Sequence, residues 1–160
     1  MKAIFSECGT YRYTLHRKIP SVLRWVKPAL FIMLNPSTAD DTHNDPTIRR
    51  CISFAEREHC TELTVVNLFA LRSTDPKFLK LHRYPIGPDN DFYIEKMIAR
   101  TQNNHNGIIV AAWGASKIAE ERGKIIIDKV NILYCLGTSQ SGNPRHPLYV
   151  RRNEPLQIYK

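Results

Sequence analysis

Residues 29–34 read Ala-Leu-Phe-Ile-Met-Leu and run directly into Asn35-Pro36-Ser37. The run does not alternate between apolar and polar residues. A strand made from it must be buried on both faces, as in a parallel sheet covered by helices. Three further short apolar runs, Leu63–Phe69, Ile108–Ala112 and Val130–Cys135, have the same character. Helical signals separate them. Asp45-Pro46 is an N-cap followed by proline at the first helical position, and Ile48, Cys51, Ile52 and Ala55 then share one helical face. Asp75-Pro76 repeats that start before a short helix. Asp89 or Asn90 caps a helix through Ile94, Met97 and Ile98, and Ser116–Arg122 is a helix stopped at Gly123. Ahead of all these, Tyr11–Arg17 alternates as a strand after the turn candidate Cys8-Gly9-Thr10, which predicts an N-terminal hairpin. Strands alternating with helices predict an α/β protein. The expected form is a three-layer α/β/α sandwich with a mainly parallel four-strand central sheet and the hairpin at its periphery.

The chain has 160 residues with no internal repeat and no linker, so residues 1–160 are expected to form a single domain. Hydrophobic residues at 42% and charged residues at 24% are ordinary for a globular protein and exclude a disordered one. The apolar runs are far shorter than the ~20 residues a membrane span needs. The start, Met-Lys-Ala-Ile-Phe-Ser-Glu, lacks the apolar core of a signal peptide, so no membrane association and a cytoplasmic location are expected. The four cysteines, Cys8, Cys51, Cys60 and Cys135, contain no C-x-x-C and are expected to be reduced, structural thiols. His59-Cys60 has no partner pair at zinc-like spacing, and in the polar loop Asp40, Asp41, His43, Asp45 the last residue is engaged as a cap. No metal and no cofactor are therefore expected. Lys and Arg number 23 against 15 Asp and Glu, a formal charge of +8 that favours an anionic partner. Basic residues are spread evenly, so any anion site must be assembled by folding.

In open α/β sheets, ligands bind beyond the carboxyl ends of the strands. The residues there are Asn35-Pro36-Ser37-Thr38, then Asn67, then Trp113-Gly114, and finally Gly142-Asn143-Pro144-Arg145-His146-Pro147-Leu148. Prolines at 36, 144 and 147 restrict the backbone and can hold Asn35 and His146 in rigid turns. An asparagine side chain offers one donor and one acceptor, so Asn67 can read an amide-like edge, or it can simply tie neighbouring backbone. Arg72 and Arg145 adjoin the strand ends and are anion candidates. Arg49-Arg50 is either a solvated helix face or a phosphate clamp, and Trp113 is either core or a stacking platform.

Four blocks, in order, resemble the uracil-DNA glycosylase superfamily. Leu34-Asn35-Pro36-Ser37 is similar to its first motif, in the branch with Asn-Pro in place of Asp-Pro. Val65-Val66-Asn67-Leu68-Phe69-Ala70-Leu71-Arg72 is similar to the strand bearing the base-reading asparagine. Val110-Ala111-Ala112-Trp113-Gly114-Ala115 resembles the next strand, and His146-Pro147-Leu148 the start of the last motif. From Tyr11 to Val150 the chain also resembles an uncharacterised bacterial and phage family, domain of unknown function 1643. The first resemblance implies four central strands in the order 2-1-3-4. It also implies base-directed N-glycosidic cleavage, with Asn35 and His146 catalytic and Asn67, Arg72, Arg145, Pro36, Ser37, Trp113 and Leu148 binding substrate. The partner would be nucleic acid, DNA ahead of RNA, or a nucleoside, and the protein a monomer. Two alternatives stay open: another base- or nucleoside-modifying enzyme, and a non-catalytic module that binds nucleic acid or nucleotide.

Overall fold

In the computed structural model, which describes residues 2–160, Pro28–Met33 is a strand buried at every position. In chain order the elements are β1 Lys2–Phe5, β2 Arg12–Lys18, β3 Pro28–Met33, α1 Pro46–Arg57, β4 Glu62–Asn67, α2 Phe78–Leu81, α3 Asn90–Gln102, β5 Ile108–Ala111, α4 Ala119–Asp128, β6 Tyr134–Cys135 and β7 Gln157–Ile158, with a 3₁₀ turn over Pro147–Tyr149 before β7. They form a mixed α/β fold around one seven-stranded sheet in the order β1-β2-β4-β3-β5-β6-β7. The central strands are parallel, β3 lying between β4 and β5, and β6 pairing with β5. The flanking pairs, β1 with β2, β2 with β4 and β6 with β7, are antiparallel.

Alternation along β3 feeds two apolar layers. Leu30 and Ile32 pack with Ile94 and Ile98 of α3 and with Ala119 and Ile126 of α4. Ala29, Phe31 and Met33 pack with Ile48, Cys51 and Phe54 of α1. Helices thus cover both faces, which is why the strand is a continuous apolar run. Asp45 caps α1 by accepting from the Ile48 N–H at 2.8 Å, with Pro46 in the first turn, as the sequence predicts. All four cysteines are free thiols, and no described helix is long and apolar enough to cross a membrane.

Several boundaries differ from expectation. The hairpin is an integral edge of the sheet, because β2 continues the backbone ladder of β4. Only Tyr134 and Cys135 of the run 130–135 pair with β5. The backbone ahead of them is engaged by two helix ends: Val130 N–H donates to Ile127 O of α4, and Asn131 N–H to Gln102 Oε1 of α3 at 2.7 Å. Helix α4 does not stop at Gly123 but continues to Asp128. Glycine is there for space, since a Cβ would come within 3.2 Å of the Trp113 indole. Asp75-Pro76 opens a tight turn instead of the helix: Asp75 Oδ1 accepts from Lys77 N–H at 2.9 Å, and α2 begins at Phe78. Asn90 begins α3 but its side chain does not cap it. Its Nδ2 donates to the carbonyls of Asn67 and Leu68.

One irregularity in the hairpin bears on the site. Ile4 pairs with Thr14 but Phe5 pairs with Arg12, leaving Tyr13 as an extra residue in β2. Such a bulge reverses the side-chain alternation beyond it. Tyr13 stacks on Tyr93 of α3 with ring centroids 4.9 Å apart, whereas Arg12 donates through Nη1 to Ala39 O at 2.5 Å, in the loop that leads to α1.

Candidate active site

A cavity of about 850 Å³ opens at the carboxyl ends of the central strands, in the size range of small-molecule sites. Its walls come from the ends of β3 and β4, the turn after β5, the loop after β6 and the N-terminus of α1. Asn35, Asn67 and His146 all line it, although they lie on three separate segments of the chain.

Asn35 is partly buried. Its Nδ2 donates to Ser73 O at 2.9 Å and to Pro36 O at 3.1 Å, and Ser73 N–H donates back to Pro36 O. These bonds tie the turn after β3 to the one after β4. They also fix the amide so that Oδ1 is left as the acceptor of a residue facing the cavity. Asn67, the last residue of β4, is buried, and its Nδ2 has no hydrogen-bond partner. The carbonyl of Asn67 is held by Asn90, so the strand end carrying it is fixed from behind.

His146 accepts the Leu148 N–H at Nδ1, at 3.3 Å. That bond assigns the proton of the neutral ring to Nε2 and makes it a donor. Burial lowers the His146 pKa below the ordinary histidine value, against the pull of Asp45, so the neutral form is favoured. Gly114, at φ +78°, lets the turn after β5 pass close by, with its Cβ position 3.4 Å from His146 Cβ. Trp113 is buried, walled by Gly123 and in edge contact with Tyr159, and it lines the cavity as well.

Ser37, Arg145 and Leu148 also line the cavity, with half-exposed Leu148 at its rim. Arg145 donates through Nη2 to Tyr149 O at 2.6 Å. Pro36 lies behind the wall as the backbone acceptor just described. Arg72 is placed elsewhere. Its Nη1 donates to Gly9 O at 3.1 Å and its guanidinium sits 5.0 Å over the Phe5 ring, so it braces the hairpin and is not part of the cavity lining. Arg49 and Arg50 are also turned to backbone, donating to Asn44 O and Val150 O.

Two charged lining residues, Arg12 and Asp45, were not singled out from the sequence as site residues. Arg12 is 2% exposed and lies against the cavity on the α1 side. An arginine in a half-buried alternating strand reads as solvent-facing, and only the bulge at Tyr13 turns it inward. Asp45 is both helix cap and cavity wall, and among the described residues it is the one carboxylate in the lining. Its cap signal was legible; its second role depends on where α1 begins relative to the strand ends. Asp40 makes a loop turn instead, its Oδ1 accepting from the N–H groups of Thr42 and His43, which lower its pKa.

The arrangement supplies an acceptor at Asn35, an uncommitted amide at Asn67, a neutral imidazole donor at His146 and a carboxylate at Asp45. Comparison with curated proteins and with solved structures gives no match. A family model matches residues 12–148, a span that takes in every cavity-lining residue except Tyr149, and the chain therefore belongs to the family described as protein of unknown function, DUF1643.

Proposed function

We propose that this protein acts on a nucleobase, cleaving the N-glycosidic bond of a base in nucleic acid, DNA ahead of RNA, or in a nucleoside. The observation that carries the reading is the convergence of Asn35, Asn67 and His146 on one cavity at the carboxyl edge of the sheet. The parallel order β4-β3-β5-β6, which sets the ends of β3, β4 and β5 around this cavity, supports the same reading. In this reaction the C1′–N bond breaks and the base departs with the bonding electrons. Asn67 holds the base edge, and His146 Nε2–H donates to the anion that develops on it. Water, oriented by Asn35 Oδ1, adds to C1′, and its proton passes to Asp45, the carboxylate in the lining. The base takes up a proton from solvent, so the step balances as hydrolysis.

The test is release of free base, read by mass spectrometry, from damaged and modified oligonucleotides and from nucleosides. Loss of the donor in His146→Ala should lower turnover by ~10²–10³. Asn35→Ala should lower it less, because an amide orients water but takes its proton poorly. Asn67→Asp should change which base is accepted. Salt-dependent DNA binding with no release from any substrate would instead favour a binding module. The full engagement of the Asn35 amide nitrogen by backbone carbonyls is the observation on that side.

A further inference from the structure

Two buried donors in the cavity wall have no acceptor within the protein. Arg12 is buried, yet only one of its three guanidinium nitrogens is engaged, Nη1 on Ala39 O. Nε is buried without a partner, and Nη2 makes no hydrogen bond either. The free Nε–Nη2 edge is the one that meets two oxygens of an oxyanion side by side. Asn67 Nδ2 is a second buried donor without a partner in the same lining. Burial brings the Arg12 pKa down to about 10, so the group is still a cation at neutral pH. A buried cation with an idle fork is costly unless an anion completes it. The bulge at Tyr13, which turns this side chain toward the cavity, gives the arrangement a built origin.

We propose that Arg12 is the anion-binding residue of this cavity and that its ligand carries a phosphate monoester, as in a nucleoside monophosphate or a terminally phosphorylated strand. A monoester is preferred to an internal diester on geometric grounds. Arg12 is 2% exposed and lies in the cavity wall, and a diester would need two ester arms to leave it. Asp45 is the opposing charge in the lining, with one oxygen held by Ile48 N–H.

The nucleoside part of this inference rests on the nucleobase reading above, while the phosphate part does not. Inorganic phosphate titrated into ¹⁵N-labelled wild-type protein should shift the Arg12 Nε–H resonance saturably. By calorimetry, a nucleoside 5′-monophosphate should bind about tenfold or more tightly than its nucleoside. Arg12→Met should erase that difference, Arg12→Lys should keep part of it, and Asp45→Asn, which preserves the cap, should tighten phosphate binding. A 5′-phosphorylated oligonucleotide should bind better than the same strand with a 5′-hydroxyl. The inference is overturned if phosphate leaves the Arg12 resonance unmoved, or if the monophosphate and nucleoside bind equally. It is also overturned if a folded Arg12→Met variant keeps the difference. Phosphate binding that depends on Arg12, with no affinity for any base or nucleoside, would uphold this inference and remove the nucleobase reading. The resonance shift is read on unmodified protein, so an Arg12→Met variant that does not fold leaves the test intact.

Discussion

The side chain of Asn90 donates to the carbonyl oxygen of Asn67 at 2.9 Å, so the first residue of α3 holds the strand end on which the base-reading candidate stands. A second bond, to Leu68 O at 3.2 Å, makes Asn90 a clip on the turn after β4. Replacing it with alanine takes this donor from Asn67 O, at about 1–3 kcal/mol, while Leu68 O keeps the Arg122 guanidinium. Asn90→Ala should lower the denaturant midpoint accordingly and weaken ligand binding in the cavity. Asn90→Asp should be worse, since it sets a carboxylate against carbonyl oxygens. A midpoint unchanged in both variants would show that the clip contributes nothing.

Gly123 sits beneath Trp113 in the middle of α4, where alanine is intrinsically better by ~1 kcal/mol. A methyl group there would stand 3.2 and 3.3 Å from the indole, which Tyr159 contacts edge-on at a centroid distance of 6.2 Å. Overpacking of this kind costs roughly 1–3 kcal/mol, enough to exceed the helical gain. Gly123→Ala should therefore be net destabilising and should alter the emission of Trp113, the buried one of the two tryptophans. Higher stability with an unchanged spectrum would reject this account.

Burial lowers the pKa values of both His16 and His146. The unfolded chain then binds more protons than the folded one as pH falls through about 6.5. The stability associated with the neutral rings is present above that value and is lost as pH drops toward the folded pKa values. Melting temperature should fall between pH 8 and pH 5, and His16→Gln and His146→Gln should each flatten the fall. A profile as steep in both variants as in the wild type would assign the acid sensitivity to other groups.

Cys8 is exposed between the hydroxyls of Ser6 and Thr10, both 3.3 Å from Sγ, and these lower its pKa to about 7. Burial raises Cys51 and Cys135 and brings Cys60 up to about 11. Iodoacetamide at neutral pH should alkylate Cys8 first, with a rate that reaches half its maximum near pH 7. Peptide mapping that finds the buried thiols modified equally fast would contradict the assignment.

The parallel core was legible because burial on both faces forces unbroken apolar runs such as residues 29–34. β1, with four residues, and β7, with two, are too short to carry a periodic signal, and they exist because edge pairing with β2 and β6 is available. Gly123 looked like a helix end because a glycine needed for space and one needed for a turn are the same letter. Asn35, Asn67 and His146 were visible because strand ends in such a sheet are places for chemistry. Arg72 satisfied the same rule yet turns back to Gly9 and Phe5, since position along the chain does not fix which way a long side chain leaves it.

The extra residue at Tyr13 divides the faces of β2 unevenly, with Tyr13 turned to α3 and Arg12 to the loop before α1. Deleting Tyr13 would restore regular pairing with β1 and leave Arg12 opposite Phe5 on the α1 side, with loss of the ring that stacks on Tyr93. Family members that lack this residue should therefore keep the cavity arginine while losing the aromatic pair with α3.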